Sequence, residues 1–186
     1  MDLRFLVISL GGTIALAVKD GRAVATEDAA RFLKRVSLPE AKIDWSTQQF
    51  LSKDSVDITL GDLARLCLFI HSKSENFDGF IITGSPASVH DDAAWIGKLE
   101  TLIREISARK IPVFGACFGH QVIARALGAT VAPHPQGCVL GRVETQFLPD
   151  GDVVSFYAAH KEQVTDLPEG AHIVARTEGC AIAGYA

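Results

Sequence analysis

The stretch Gly115-Ala116-Cys117-Phe118-Gly119 sets a cysteine between two glycines at a spacing that suits nucleophilic chemistry. An apolar run over 111–114 ends there, and a helical pattern over 118–127 begins at once. In the pattern Gly-x-nucleophile-x-Gly the reactive side chain stands on a strained strand-to-helix turn. Glycines two before and two after let the backbone close that tightly. The helix N-terminus beneath Cys117 carries partial positive charge, which favours a thiolate. The Phe118 N–H would point toward the same place and stabilise an oxyanion. The same five residues also fit a buried cysteine in a strand–turn–helix packed by its glycines.

Such a corner needs a sheet to carry it. Apolar runs at 3–9, 48–52, 80–83 and 111–114 predict strands. Amphipathic stretches at 27–36, 59–72, 93–108 and 118–127 predict helices. Thr26 and Thr59 stand where N-caps belong, and Gly128 stops the last helix. From residue 130 the pattern changes. The runs 139–148, 153–157 and 173–175, separated by Pro, Gly and Asp, predict an antiparallel extension in the C-terminal third. Alternating strands and helices imply an α/β fold, an open parallel sheet with helices on both faces. The 186 residues suit a single domain. Reactive groups in such sheets lie beyond the carboxyl ends of the strands, which points to the loops 10–13, 84–89 and 115–119.

Composition narrows the function. The chain is 48% hydrophobic and 22% charged, enough to bury a core. A net charge of −4 without a Lys/Arg run argues against a nucleic-acid partner. No apolar run reaches the ~18 residues of a spanning helix, so no membrane partner is expected. The amino-terminal 20 residues have an early Arg4 and an Ala-x-Ala, as a signal peptide does, but Gly11-Gly12-Thr13 interrupts the apolar run. A first strand and its turn is the better reading. Cysteines at 67, 117, 138 and 180 form no CxxC pair and no metal spacing. Reduced thiols in a cytoplasmic protein, with no metal and no cofactor, are the expectation.

The run "GACFGHQVIARALGATV" resembles the Gly-x-Cys-x-Gly-His-Gln signature of class I glutamine amidotransferases. "DGFIITGSPASVHDD" resembles that family's oxyanion-strand loop, and "HPQGCVLGRVE" and "AAHKEQVTDLPEGAHIVART" resemble its later segments. The resemblance runs from about residue 78 to 186. It implies a flavodoxin-like fold and hydrolysis of glutamine's side-chain amide through a thioester, with ammonia passed to a synthase. Carried over, it makes Cys117 the nucleophile and the N–H groups of Ser85 and Phe118 the oxyanion hole. It assigns Gly84 and Gln121 to substrate binding and leaves His120 structural.

The family takes its base from a His-Pro-Glu segment near its C-terminus. None of the six histidines here (71, 90, 120, 134, 160, 172) is followed by Pro-Glu. His160-Lys161-Glu162 has the His-x-Glu spacing and is a substitute candidate, with His160 as base and Glu162 as its partner. The Leu167-Pro168 that follows matches it instead to an earlier, non-catalytic family segment. His172 is a weaker candidate. The final "TEGCAIAGYA" resembles the strand before the expected His-Pro-Glu, so impaired turnover is expected.

The first part carries a second resemblance, over about 4–80. "FLVISLGGTIA" resembles the amino-terminal motif of bacterial-type L-asparaginases, and "FLSKDSVDITLGDLARLCLFI" resembles their Asp-Ser segment. It implies Thr13 as nucleophile and Ser55 as substrate contact, with asparagine as substrate. The His-Gly-Thr-Asp-Thr that follows in asparaginases is replaced here by Gly84-Ser85-Pro86 after "DGFIIT". The chain thus reads as a chimera, asparaginase-like over 1–77 and amidotransferase-like over 78–186. A scaffold without enzymatic activity is a third reading.

Overall fold

The computed structural model describes residues 2–9, 16–19, 22–25, 42–49, 65, 68–70, 72, 78–85 and 87–186. They fall into two compact units, Met1–Ile81 with Arg109–Val113, and Ile82–Ala108 with Phe114–Ala186.

The first unit is built on parallel strands. β1 (Asp2–Ser9) runs parallel to β4 (Lys42–Gln49) along its whole length, from Asp2 opposite Lys42 to Ser9 opposite Gln49. Its other edge takes β5 (Gly79–Ile82), with Phe5 opposite Gly79. The sheet order is β4-β1-β5-β6, where β6 is Val113–Gly115. Arg4 closes the start of β5: its carbonyl accepts from the Asp78 N–H at 2.9 Å, and its own N–H donates to the Asp78 carboxylate at 2.8 Å. A hairpin of β2 (Leu16–Lys19) and β3 (Arg22–Ala25) follows β1. No strand was expected there, because Gly and charged residues leave its apolar pattern only four residues per strand. β4 begins six residues before the strand expected at 48. The predicted helix 27–36 lies outside the described residues. Residues 65, 68–70 and 72 are helical, within the predicted 59–72.

The second unit carries the corner. α1 (Ala94–Ala108) buries Ile96, Ile103 and Ile106 along one face. α2 (Phe118–Ala126) is buried nearly all round, with Phe118, Val122, Ile123 and Ala126 all out of solvent. Trp95 and Phe118 meet with ring centroids 5.4 Å apart, and Glu100 of α1 binds Arg125 of α2 at 3.1 Å. Gly128, at φ 92°, ends α2. Its N–H reaches the Arg125 carbonyl and the Ala129 N–H reaches that of Ala124, the paired bonds of a Schellman motif. Both helices lie within one residue of their sequence-predicted bounds.

The antiparallel extension is present and larger than expected. β8 (Val139–Phe147) pairs with β9 (Val153–His160) and β11 (Ile173–Thr177), and β11 with β12 (Cys180–Tyr185). A separate pair joins β7 (Val131–Pro133) to β10 (Glu162–Val164). These last strands were too short to show a period. Among the described residues no helix is long and apolar enough to cross a membrane.

Ile103, on the buried face of α1, is fully buried. Ile103→Ala should lower unfolding free energy by about 2–5 kcal/mol, read from the denaturant midpoint at unchanged slope.

Candidate active site

The two glycines of the corner are forced by backbone contacts. A methyl group at Gly119 would sit 2.0 Å from the Ile82 carbonyl oxygen, and one at Gly115 would sit 2.4 Å from the carbonyl of Gly119. The Ala116 N–H donates to the same Ile82 carbonyl at 3.0 Å. The chain therefore crosses the end of β5 at backbone contact distance and turns at once into α2. Cys117 takes the bend. Its φ is 55° and its ψ −114°, a conformation that side-chain-bearing residues rarely adopt. It stands at the N-cap of α2, makes no side-chain cap, and is exposed. The thiol, in no disulfide, stands at the positive end of the helix dipole.

Gly84 lies against it. A methyl group there would be 3.5 Å from Cys117 Cβ and 3.8 Å from Sγ, so glycine keeps the space beside the sulfur open. Ser85 follows, its hydroxyl accepting from the Ala87 N–H at 3.2 Å. Phe118 is the first residue of α2. Two N–H groups of the expected oxyanion hole thus belong to residues flanking the Gly84–Cys117 contact.

Across the site, the Cys117 thiol reaches the Ala159 carbonyl at 4.0 Å, one residue before His160. The His160 Nδ1–H donates to the Glu162 carbonyl at 3.0 Å, because a carbonyl can only accept. Neutral His160 therefore keeps Nε2 unprotonated. The Gln121 amide nitrogen donates to the same carbonyl at 2.8 Å. The Glu162 side chain turns elsewhere and accepts from the Ser88 hydroxyl. Glu162 thus holds His160 through its backbone, where the His-x-Glu spacing suggested the carboxylate.

Among the described residues, the other histidines are held elsewhere, His172 through its backbone alone. His90 bonds the Val131 carbonyl at 2.9 Å. His134, 5% exposed, bonds the Gly179 carbonyl through Nε2 and accepts the Gln136 N–H at Nδ1. His172 pairs through its backbone with Ala186, at the start of β11. His120, in the first turn of α2, stacks on Tyr185 with centroids 4.8 Å apart, and the Tyr185 hydroxyl donates to its carbonyl at 3.0 Å. Burial holds the His120 imidazole below its ordinary range; a hydrogen bond to Ile182 opposes this, and repulsion from His160, when that ring is protonated, adds to it. Burial also pushes the Tyr185 phenol up. Thr13, Ser55 and His71 lie outside the described residues.

The fold and the cysteine corner together define the class. The family profile for glutamine amidotransferase class-I matches residues 42–186. The chain belongs to the class I glutamine amidotransferase family. The match begins well before residue 78, so residues 42–77 fall within it as well. A glutamine amidotransferase-like protein of Schizosaccharomyces pombe is 33% identical over 113 residues, covering 56% of this chain and 46% of that protein. Gamma-glutamyl peptidase 3 of Arabidopsis thaliana is 33% identical over 119 residues, 57% of this chain and 48% of the peptidase. The glutamine-hydrolysing GMP synthase of Mycobacterium marinum is 34% identical over 111 residues, 56% and 20%. The match thus spans about half the length of the first two proteins and a fifth of the third. A crystal structure of a glutamine amidotransferase from Methylobacillus flagellatus superposes with a TM-score of 0.62 at 22% identity, over 99% of this chain and 64% of that one. That likeness establishes the flavodoxin-like fold.

Two outcomes follow from the geometry. Gly119→Ala forces a methyl into the Ile82 carbonyl and should cost about 1–3 kcal/mol or more. Gly97→Ala, with open space around the added methyl in α1, should instead stabilise by about 0.5–1 kcal/mol. Denaturant midpoints of the two variants check this. The second outcome concerns pH. Because folding lowers the His120 pKa, the unfolded chain takes up its proton first as pH falls. Stability should therefore decline below the unfolded value of 6.5, by at most about 1.4 kcal/mol per pH unit. His120→Asn should flatten the decline between pH 7.5 and 5.5.

Proposed function

We propose that this domain cleaves the side-chain amide of glutamine, or of a γ-glutamyl group, through a thioester on Cys117. The observation that carries the reading is Cys117 itself: an exposed thiol held at positive φ on a glycine-forced elbow, at the N-terminus of α2 and against Gly84. The thiolate attacks the amide carbon where Gly84 leaves room. The N–H groups of Ser85 and Phe118 receive the oxyanion. Ammonia, or an amine from a γ-glutamyl substrate, leaves with a proton, and water hydrolyses the thioester to the free carboxylate.

His160 is the proposed proton acceptor. Its support is the unprotonated Nε2 left by the bond to Glu162, and its place next to the carbonyl that the thiol reaches. The hydrogen bond of the thiol goes to Ala159, so the proton must pass through water or a side-chain rotation. Slow turnover is expected on that account. The relatives named as GMP synthase and gamma-glutamyl peptidase support two fates for the product side: delivery of ammonia to a synthase, or simple release.

The test is ammonia release from glutamine. Parent protein should turn over slowly, Cys117→Ala should fall to background, and His160→Asn should lose at least about tenfold, since general base catalysis contributes ~10²–10⁴. Ammonia release that persists in Cys117→Ala overturns the reading. Asparagine hydrolysis that persists in Cys117→Ala and ends with Thr13→Ala would assign the chemistry to the amino-terminal part instead.

A further inference from the structure

β9 is the last strand of its sheet. The order β12-β11-β8-β9 gives it a neighbour on one side alone among the described residues. Edge strands are ordinarily guarded by a lysine, a proline or a bulge. β9 reads VVSFYAAH, with no Lys, Arg, Asp, Glu or Pro. It follows β8 in unbroken register, from His160 opposite Val139 to Val153 opposite Gln146. Its first five residues are all exposed, and four of them are apolar: Val153 at 58%, Val154 at 43%, Phe156 at 47% and Tyr157 at 88%. A bare backbone edge takes another β-strand, and the side chains decide which one.

The segment is complementary to itself. Turned antiparallel about a two-fold axis at Ser155, each copy sets Val153 opposite Tyr157 of the other, and Val154 opposite Phe156. Aromatic residues against β-branched ones make favourable cross-strand pairs. The charges beside Ser155 are already satisfied. Arg142 and Glu144 lie 3.6 Å apart, and both bond the Ser155 hydroxyl. At the strand ends the signs are opposite, with Asp150 and Asp152 before β9 and Lys161 after it. Antiparallel pairing brings the acidic start of one strand toward the basic end of the other. Exposed to the fractions above, the four apolar side chains offer on the order of 500 Å² per copy, and two copies together reach the ~1,000 Å² at which specific interfaces begin.

We propose that β9 is a self-association edge: two copies of this chain pair antiparallel through residues 153–157 and join their four-stranded sheets into one. The same strand ends beside the thiol, since the Ala159 carbonyl lies 4.0 Å from Cys117 Sγ. One thiol therefore stands at each end of the shared strand pair. The pairing does not rest on the chemistry proposed for Cys117.

Sedimentation velocity of the whole chain tests this. The parent should pass from monomer to dimer with a Kd on the order of 1–100 μM. Tyr157→Lys, checked for its fold by circular dichroism, should raise that Kd by about tenfold or more. Adding Val153→Glu sets opposite charges across the axis and should restore the Kd to within about threefold of the parent. One measurement needs no variant: alternate amides over 153–157 should exchange about tenfold more slowly in concentrated than in dilute parent. A parent that stays monomeric to about 500 μM overturns the proposal. So does a dimer that Tyr157→Lys leaves intact, or a loss that Val153→Glu does not restore. Growth beyond the dimer also overturns it, because a closed two-fold uses up both edges.

Discussion

The carbonyl of Ile82 is the point on which the site turns. It ends β5, receives the Ala116 N–H at 3.0 Å, and lies where any side chain at residue 119 would have to go. Because the elbow crosses it at backbone contact, the turn into α2 has no slack. The bend is taken up in one residue, and that residue is Cys117, at φ 55°. The strain, the exposure of the sulfur and the contact with Gly84 are one arrangement seen from three sides.

Around that corner the chain gathers segments that are distant in sequence. The loop after β5 brings Gly84, Ser85 and Ser88. The end of β9 and the start of β10 bring Ala159, His160 and Glu162. β12 brings Ile182 and Tyr185 onto His120. Three of these links reach Cys117 or the first two turns of α2 through backbone carbonyls: Cys117 to Ala159, Gln121 to Glu162, and Tyr185 to His120. Backbone acceptors tolerate many side chains at their own positions. This explains how Glu162 holds His160 while its carboxylate serves Ser88.

Much of the fold was legible, for physical reasons particular to its parts. Helix α1 buries one face at a 3.6-residue period, and α2 ends at Gly128 in a Schellman motif, so their bounds fell within one residue. The elbow was a candidate from the spacing of Gly115 and Gly119 around Cys117, and the backbone contacts at both glycines give that spacing its steric cause. The pairs β2–β3 and β7–β10 were not, since three or four residues cannot display a period. The bonds of Gln121 were not legible either. They depend on which carbonyl comes within reach across 41 residues of chain, a fact of tertiary packing. The pairing of His160 with the Glu162 backbone was hidden by a His-x-Glu spacing that pointed to the carboxylate.

We propose that the strained elbow makes Cys117 an acyl acceptor for a glutamine side chain. Peptide mass mapping after acid quenching of the protein with excess glutamine is the direct test. A γ-glutamyl mass is expected on the peptide that carries Cys117, lost in Cys117→Ser and discharged when the quench is delayed after glutamine is removed. A γ-glutamyl adduct on another residue, or an unmodified Cys117 peptide while ammonia is being released, would contradict it.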